Sequence, residues 1–158
     1  MKLSRLLRAG LLTAVIDGLF SSALVVFFYD STFARLWQGV ASTLLGPDAF
    51  TGGTRTVLIG LLMHLGVAFG WSTVFFLLYE GLAGVRAATS TPAGVVLTAA
   101  IYGPVIWLVM SLAVIPSLTG RPVTFTVRWW IQLIGHFPFV GLPIVASIAE
   151  RSPESGQP

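Results

Sequence analysis

A chain of 158 residues that is 55% apolar and only 9% charged cannot cover itself with a water-facing surface, for which soluble domains use about 25% charged residues. The mean hydropathy of +0.88 therefore points to an integral membrane protein, and the length allows one helical bundle with no separate soluble domain. The absence of cysteine excludes disulfides, thiolate metal sites and cysteine nucleophiles, and the net charge of +3 comes from nine scattered Lys and Arg, which report topology rather than nucleic-acid binding.

Lys2, Arg5 and Arg8 precede an apolar run from Ala9 to about Tyr29. The run is too long for the core of a signal peptide and predicts a first transmembrane helix. Thr13, Asp17 and Ser21 recur every four residues within it, with Gly10, Ala14 and Gly18 beside them. Such a seam of small and polar residues lets helices approach closely. Residues 30–56 are too polar to span. Inside them, 31–45 put Phe33, Leu36, Trp37, Val40 and Leu44 on one side and Arg35, Gln38 and Ser42 away from it, which predicts a short interfacial helix. Gly46-Pro47-Asp48 ends it, and 51–55 reads as a loop.

The second span is expected at about 57–79, containing His64, a Gly66-xxx-Gly70 pair and Trp71, with Glu80, Gly81, Gly84 and Arg86 at its exit. Thr91-Pro92 suits the start of the third, about 93–115, because proline is tolerated in a helix's first turn. Pro116, Gly120, Arg121 and Pro122 read as the next turn. The fourth span is expected at about 128–149, with Pro138 and Pro143 as kinks, and 151–158 as a loose polar tail. Four spans put both termini on one side. Lys2, Arg5, Arg8, Arg86 and Arg151 stand there against Arg35, Arg55, Arg121 and Arg128, and the three charges before the first span place both termini in the cytoplasm. The expected fold is all-α: a single polytopic membrane domain of four transmembrane helices plus one short interfacial helix.

The least ordinary stretch runs from Arg128 to Pro138. Arg128, Gln132 and His136 are spaced by four and share one helical face, while Trp129 and Trp130 read as interfacial anchors. A rise of about 1.5 Å per residue puts His64 and His136 about 10–12 Å below one boundary, and Asp17 and Tyr102 about 12–14 Å from the other. Asp17, His64, Tyr102, Gln132 and His136 are thus candidates for a polar layer near the middle of the bundle. An aspartate at a helix centre costs roughly 2.5–3.5 kcal/mol, so Asp17 has to face the interior, carry a proton or find a partner.

Several uses of such a layer stay open. Asp17 could relay protons or ions with Tyr102 and the histidines, or bond Tyr102 or a backbone group and hold the bundle in register. His64 and His136 could be axial ligands of a b-type haem, or line a quinone or lipid-headgroup site with Trp71 and Trp129. Zinc lacks third and fourth ligands at that level. No nucleophile elbow, phosphate loop, HExxH motif or carboxylate pair is present, and Asp48, Glu150 and Glu154 fall in loop or tail, so no catalytic residue is assigned. Gly66-xxx-Gly70 permits close packing within the chain or with another subunit.

The mid-helix His64 followed by Tyr79-Glu80, a glycine-containing third span (Gly94) ending near Pro116, and Gly135-His136 in the last span resemble the YagU-like family of small bacterial inner-membrane proteins. The resemblance covers roughly 60–149. It implies an inner-membrane location and a compact helical bundle open to oligomerisation, with no settled biochemistry. The family pattern is expected to carry a carboxylate four residues before the last histidine, where this chain has Gln132. The expected role is non-enzymatic: a structural or accessory component that self-assembles or packs into a larger membrane complex, with lipid and other membrane subunits as partners and no nucleic acid. A haem- or quinone-binding redox subunit using His64 and His136, and a proton or ion conduit through Asp17, are the alternatives.

Overall fold

The computed structural model describes residues 2–149; the tail assigned to 151–158, with Arg151 and Glu154, lies outside the described residues, as does Glu150. Among the described residues every regular element is helical. α1 (Lys2–Phe28) leads to α2 (Phe33–Leu45) and a 3₁₀ turn at Gly46–Phe50. α3 (Gly53–Gly81) and the short α4 (Ala83–Ala88) follow. α5 (Pro92–Val109) runs through a π-helical segment, Met110–Val114, into α6 (Ile115–Thr119). α7 (Val127–His136) runs through a second π-helical segment, Phe137–Gly141, into α8 (Leu142–Ile148). Four helices, Lys2–Phe28, Gly53–Gly81, Pro92–Thr119 and Val127–Ile148, are long and apolar enough to cross a membrane.

Local chemistry sets several boundaries. Thr32, Thr91 and Thr126 are extended N-cap residues whose hydroxyls accept from the backbone N–H of Arg35, Gly94 and Trp129, each satisfying one of the donors a helix start leaves unpaired. Gly120, at φ 66°, closes the third long helix with a left-handed residue. Three boundaries differ from expectation. α1 begins at Lys2 and α3 at Gly53, because charged and polar residues continue a helix beyond the apolar stretch that hydropathy detects. The third long helix continues past Pro116, which follows directly on the π-helical segment Met110–Val114 in the first turn of α6.

The four long helices alternate in direction, so the Lys2 end of the bundle also holds Gly81, Pro92 and Ile148. Arg8 Nη2 donates to the Ser147 carbonyl at 2.9 Å across that end, and Lys2 Nζ pairs with Glu80. The dry core lies in this half: Ala9 from α1, Phe75 and Tyr79 from α3, Ala99 and Ile106 from α5, and Val140, Ile144, Val145 and Ile148 from the last helix.

Glycines permit the tightest crossings. A Cβ on Gly103 would overlap the His136 carbonyl oxygen, and one on Gly141 the Ala99 carbonyl oxygen, so the third and fourth long helices meet backbone to backbone. Gly60 meets the Trp37 carbonyl in the same way and seats α2 against α3. The Gly66-xxx-Gly70 pair is not used within the chain, because a Cβ at either position would meet nothing within 4 Å. α2 also sits with a different face inward than its pattern suggests. Trp37, Gln38, Ala41 and Ser42 are buried, while Phe33 and Leu44 are exposed. Gln38 Nε2 donates to the Gly53 carbonyl and Ser42 Oγ to the Gly39 carbonyl, so the polar side chains are satisfied while small residues allow close approach.

Gly103→Ala should lower the unfolding free energy in detergent by about 1–3 kcal/mol, since the obstacle is backbone and cannot swing aside. This overrides the roughly 0.5–1 kcal/mol that alanine gains over glycine in a helix. Gly66→Ala, facing open space, should be neutral or stabilising. Thermal unfolding followed by circular dichroism compares the two; equal effects would refute the crossing.

Candidate functional site: a polar-walled cavity

In the half of the bundle away from Lys2 the helices line an open-mouthed cavity of about 1010 Å³. α1 contributes Thr13 and Asp17, α2 Trp37, α3 His64 and Trp71, the third long helix Trp107 and Ser111, and the fourth Trp129, Gln132 and His136. Arg35, Arg121 and Arg128 stand at its rim. Ile106, Val140 and Ile144 line it too and also belong to the dry core, so the cavity ends where the packed half begins.

His64 Nε2 lies 3.0 Å from the Ala14 carbonyl oxygen. A carbonyl only accepts, so Nε2 carries the hydrogen and donates. The ring also rests against Trp37, with centroids 5.1 Å apart, and Gly18 of α1 lies beside it. The other nitrogen, Nδ1, faces Asp17 Oδ2 at 3.9 Å, an ion-pair distance rather than a hydrogen bond. The carboxylate thus has an imidazole beside it and does not stand alone in an apolar interior.

His136 is held in a complementary way. Its Nδ1–H donates to the Gln132 carbonyl at 2.7 Å, one helical turn back, and its ring packs on Trp107 at 4.9 Å. Its open nitrogen is therefore Nε2. Around these rings several buried polar atoms have no hydrogen-bond partner among the described residues: Thr13 Oγ1, Asp17 Oδ1, Trp37 Nε1, Trp107 Nε1, Ser111 Oγ, Trp129 Nε1 and Gln132 Oε1. All belong to cavity-lining residues. Each buried unpaired group costs about 1–3 kcal/mol, so these lining residues carry hydrogen-bonding capacity that the described residues leave unused.

The structure brings Asp17, His64, Gln132 and His136 onto one cavity wall and places Tyr102 elsewhere. Tyr102 OH donates to the Trp71 carbonyl at 2.7 Å, and its ring packs on Phe75 at 4.9 Å, on the core side. Asp17 is partnered by His64 rather than by Tyr102. Arg128 stays at the rim, its guanidinium 5.3 Å from the centre of the Tyr29 ring. Of the two tryptophans read as anchors, Trp130 is exposed while Trp129 is buried and forms part of the wall. Trp107 and Ser111 were not singled out in the sequence. Their spacing of four was the available signal, and the π-helical segment that carries Ser111 left no mark in the residue pattern.

This geometry bears on the chemistry. His64 has Nε2 on a backbone carbonyl and Nδ1 toward Asp17, which leaves Nε2 of His136 as the ring nitrogen with neither kind of neighbour. No group of three or more His, Asp or Glu side chains is placed to hold a metal ion among the described residues. What remains is a mostly apolar cavity with fixed donors and acceptors. Compared with family models, curated proteins and solved structures, the chain matches none.

The Asp17–His64 contact should appear as a coupling energy. In a double-mutant cycle with Asp17→Asn and His64→Ala, unfolding free energies in detergent should depart from additivity by about 0.5–3 kcal/mol. Strict additivity would show that the 3.9 Å approach carries no interaction.

Proposed function

We propose that the chain is a multi-pass protein of a bacterial inner membrane with a non-enzymatic, accessory role, holding a small quinone-like amphipathic molecule in its cavity. The membrane reading is supported by the four long apolar helices and by side chains such as Leu19, Leu62 and Ile134 on their outward faces, at 67%, 67% and 70% exposure. Lipid accepts such faces and water does not. The likeness of His64, Tyr79-Glu80 and Gly135-His136 to the YagU-like family belongs to the same proposal.

One observation carries the ligand class: the buried indole nitrogens of Trp107 and Trp129 and Gln132 Oε1, all on cavity-lining residues, lack partners among the described residues, and His136 beside them has an open nitrogen. Indole N–H groups only donate, so they suit carbonyl oxygens on the occupant, and their rings suit a flat apolar body. A cavity of this size is at the upper end of ligand sites, about 300–1,000 Å³, which are typically apolar with a few placed polar groups. A through-conduit for protons is less well supported, because the packed half closes the path beyond Asp17 with Phe75, Ile144, Val145 and Ile148. Self-association fits the accessory role, as Gly66 and Gly70 are exposed to open space between Leu62 and Val74.

Organic extraction of the protein purified in mild detergent should release a quinone-class molecule enriched over the bulk membrane. Ser111→Phe, which fills the cavity, should reduce that yield at least about tenfold, or 1.4 kcal/mol, at unchanged helix content. An extract with no enriched molecule, or equal yields from both proteins, would reject this reading.

The topology can be read separately, because the chain has no cysteine of its own. A single cysteine at Ser90, between α4 and α5, should react with an impermeant thiol reagent only from the cytoplasmic face. One at Thr124, between α6 and α7, should react only from the opposite face. The reverse pattern would invert the proposed orientation.

A further inference from the structure

The mouth of the cavity, at the end of the bundle away from Lys2, gathers positive charge from three separate parts of the chain. Arg35 comes from α2, Arg121 from the segment joining α6 to α7, and Arg128 from α7. All three are exposed. The Arg35 guanidinium lies 4.8 Å from the centre of the Phe50 ring, and that of Arg128 lies 5.3 Å from the centre of the Tyr29 ring. An aromatic face orients a cation but leaves its charge in place. Among the described carboxylates, Glu80 pairs with Lys2 and Asp17 with His64. Asp30 and Asp48 are the two others at this end, and neither lines the cavity or forms an ion pair with an arginine. Arg35 and Arg128 also stand in the first turns of α2 and α7, neither of which holds an acidic residue. A helix start carries a positive partial charge, so a cation there is unfavourable in the absence of an anion. Two helix starts and three guanidinium groups thus set one sign of field at one opening.

We propose that this mouth binds one anionic phospholipid of the surrounding bilayer, its phosphate held by Arg35, Arg121 and Arg128. One acyl chain lies in the outer part of the cavity along Leu36, Val114 and Ile115. Guanidinium is suited to phosphate because its planar donors match two phosphate oxygens at once. Leu36 follows Arg35 directly, and Ile115 opens the short helix that leads to Arg121, so apolar lining begins just below the charges. That adjacency selects a lipid over a free anion, which would use the charges alone. A zwitterionic lipid brings its own ammonium group to the same cationic ring and is disfavoured. The site rests on the membrane reading above and goes beyond the uncharged molecule proposed for the inner wall at Trp107, Gln132 and His136.

Four of the five tryptophans, Trp37, Trp71, Trp107 and Trp129, line the cavity, and the fifth, Trp130, is exposed. In a Trp130→Phe background, indole fluorescence therefore reports on the cavity. Phospholipid brominated along its acyl chains, which quenches indole on contact, is titrated into the full chain in mild detergent. The end of the bundle at the mouth holds Arg35, Arg55, Arg121 and Arg128 against Asp30 and Asp48. Brominated phosphatidylglycerol should quench at about twenty-five-fold lower mole fraction than brominated phosphatidylethanolamine, about fivefold for each net positive charge. The triple variant Arg35→Gln, Arg121→Gln and Arg128→Gln should lose that preference, and the corresponding Lys triple should keep most of it. Arg121→Gln alone, which leaves both ring contacts intact, should raise the mole fraction of phosphatidylglycerol needed by about fivefold. It decides the matter if the triple variant does not fold. Equal quenching by both lipids with the arginines intact, or a preference that survives the Gln triple, would overturn the proposal. So would displacement of phosphatidylglycerol by inorganic phosphate beyond that by chloride of equal ionic strength, since the mouth would then take a free anion. None of these results bears on the cavity's quinone yield, so the two readings fail separately.

Discussion

The backbone contact between the third and fourth long helices, at Gly103 against His136 and Gly141 against Ala99, is the constraint on which the rest of the molecule depends. Between apolar helices in lipid there is no hydrophobic driving force, so association relies on close packing and hydrogen bonds. Removing two Cβ atoms at this level gives the closest packing two helices can reach. On the Lys2 side of the crossing, Ile106, Val140, Ile144, Val145 and Ile148 fill the interior. On the other side, the same helices present Trp107, Ser111, Trp129 and Gln132 around open space. One crossing thus divides the bundle into a packed half and a hollow half.

The hollow half can hold its ionisable groups because both histidines are tied to backbone and Asp17 faces one of them. His64 spends one nitrogen on the Ala14 carbonyl and His136 one on the Gln132 carbonyl, so both rings are fixed in orientation with one nitrogen open. Asp17 meets the open nitrogen of His64 and so need not stand as an isolated charge. These groups are positioned before any ligand arrives, which removes much of the ordering cost that binding otherwise carries. Trp37 completes the arrangement from α2, which is why a helix that lies outside the four long ones still shapes the site.

The apolar runs and the polar spacing made the number of long helices and four of the five polar candidates legible in the sequence. Three things were not, each for a physical reason. A GxxxG pair states that a helix can be approached closely but not by what; Gly66 and Gly70 meet no neighbouring helix, Gly66 instead lining the cavity, while the crossings fall at Gly60, Gly103 and Gly141. A helical face can be listed without knowing which neighbour it meets. Tyr102 shows this, since it shares the depth of Asp17 but turns toward Trp71 and Phe75. A π-helical segment inserts a residue into the regular ladder and turns everything beyond it relative to a count of 3.6. With such segments at Met110–Val114 and Phe137–Gly141, faces on the last two helices cannot be read by counting alone. Only Pro138 hinted at the second, because its missing N–H breaks the regular ladder.

The fourth long helix is the element the others surround: 56% of its most apolar window is buried, against 17–28% for the other three. Its two faces serve two concavities. Gln132, His136 and Val140 face the cavity, while Pro138, Leu142 and Ala146 face a groove of about 860 Å³ shared with Arg5, Arg8 and Leu12 of α1. Two faces of one helix therefore line spaces on opposite flanks of the molecule. A change in the geometry of the Phe137–Gly141 segment would shift His136 and Pro138 together, because the Gly103 and Gly141 contacts leave the backbone no room to absorb the movement at the crossing. The rigidity that holds the polar wall in place is thus the same rigidity that gives the groove its shape.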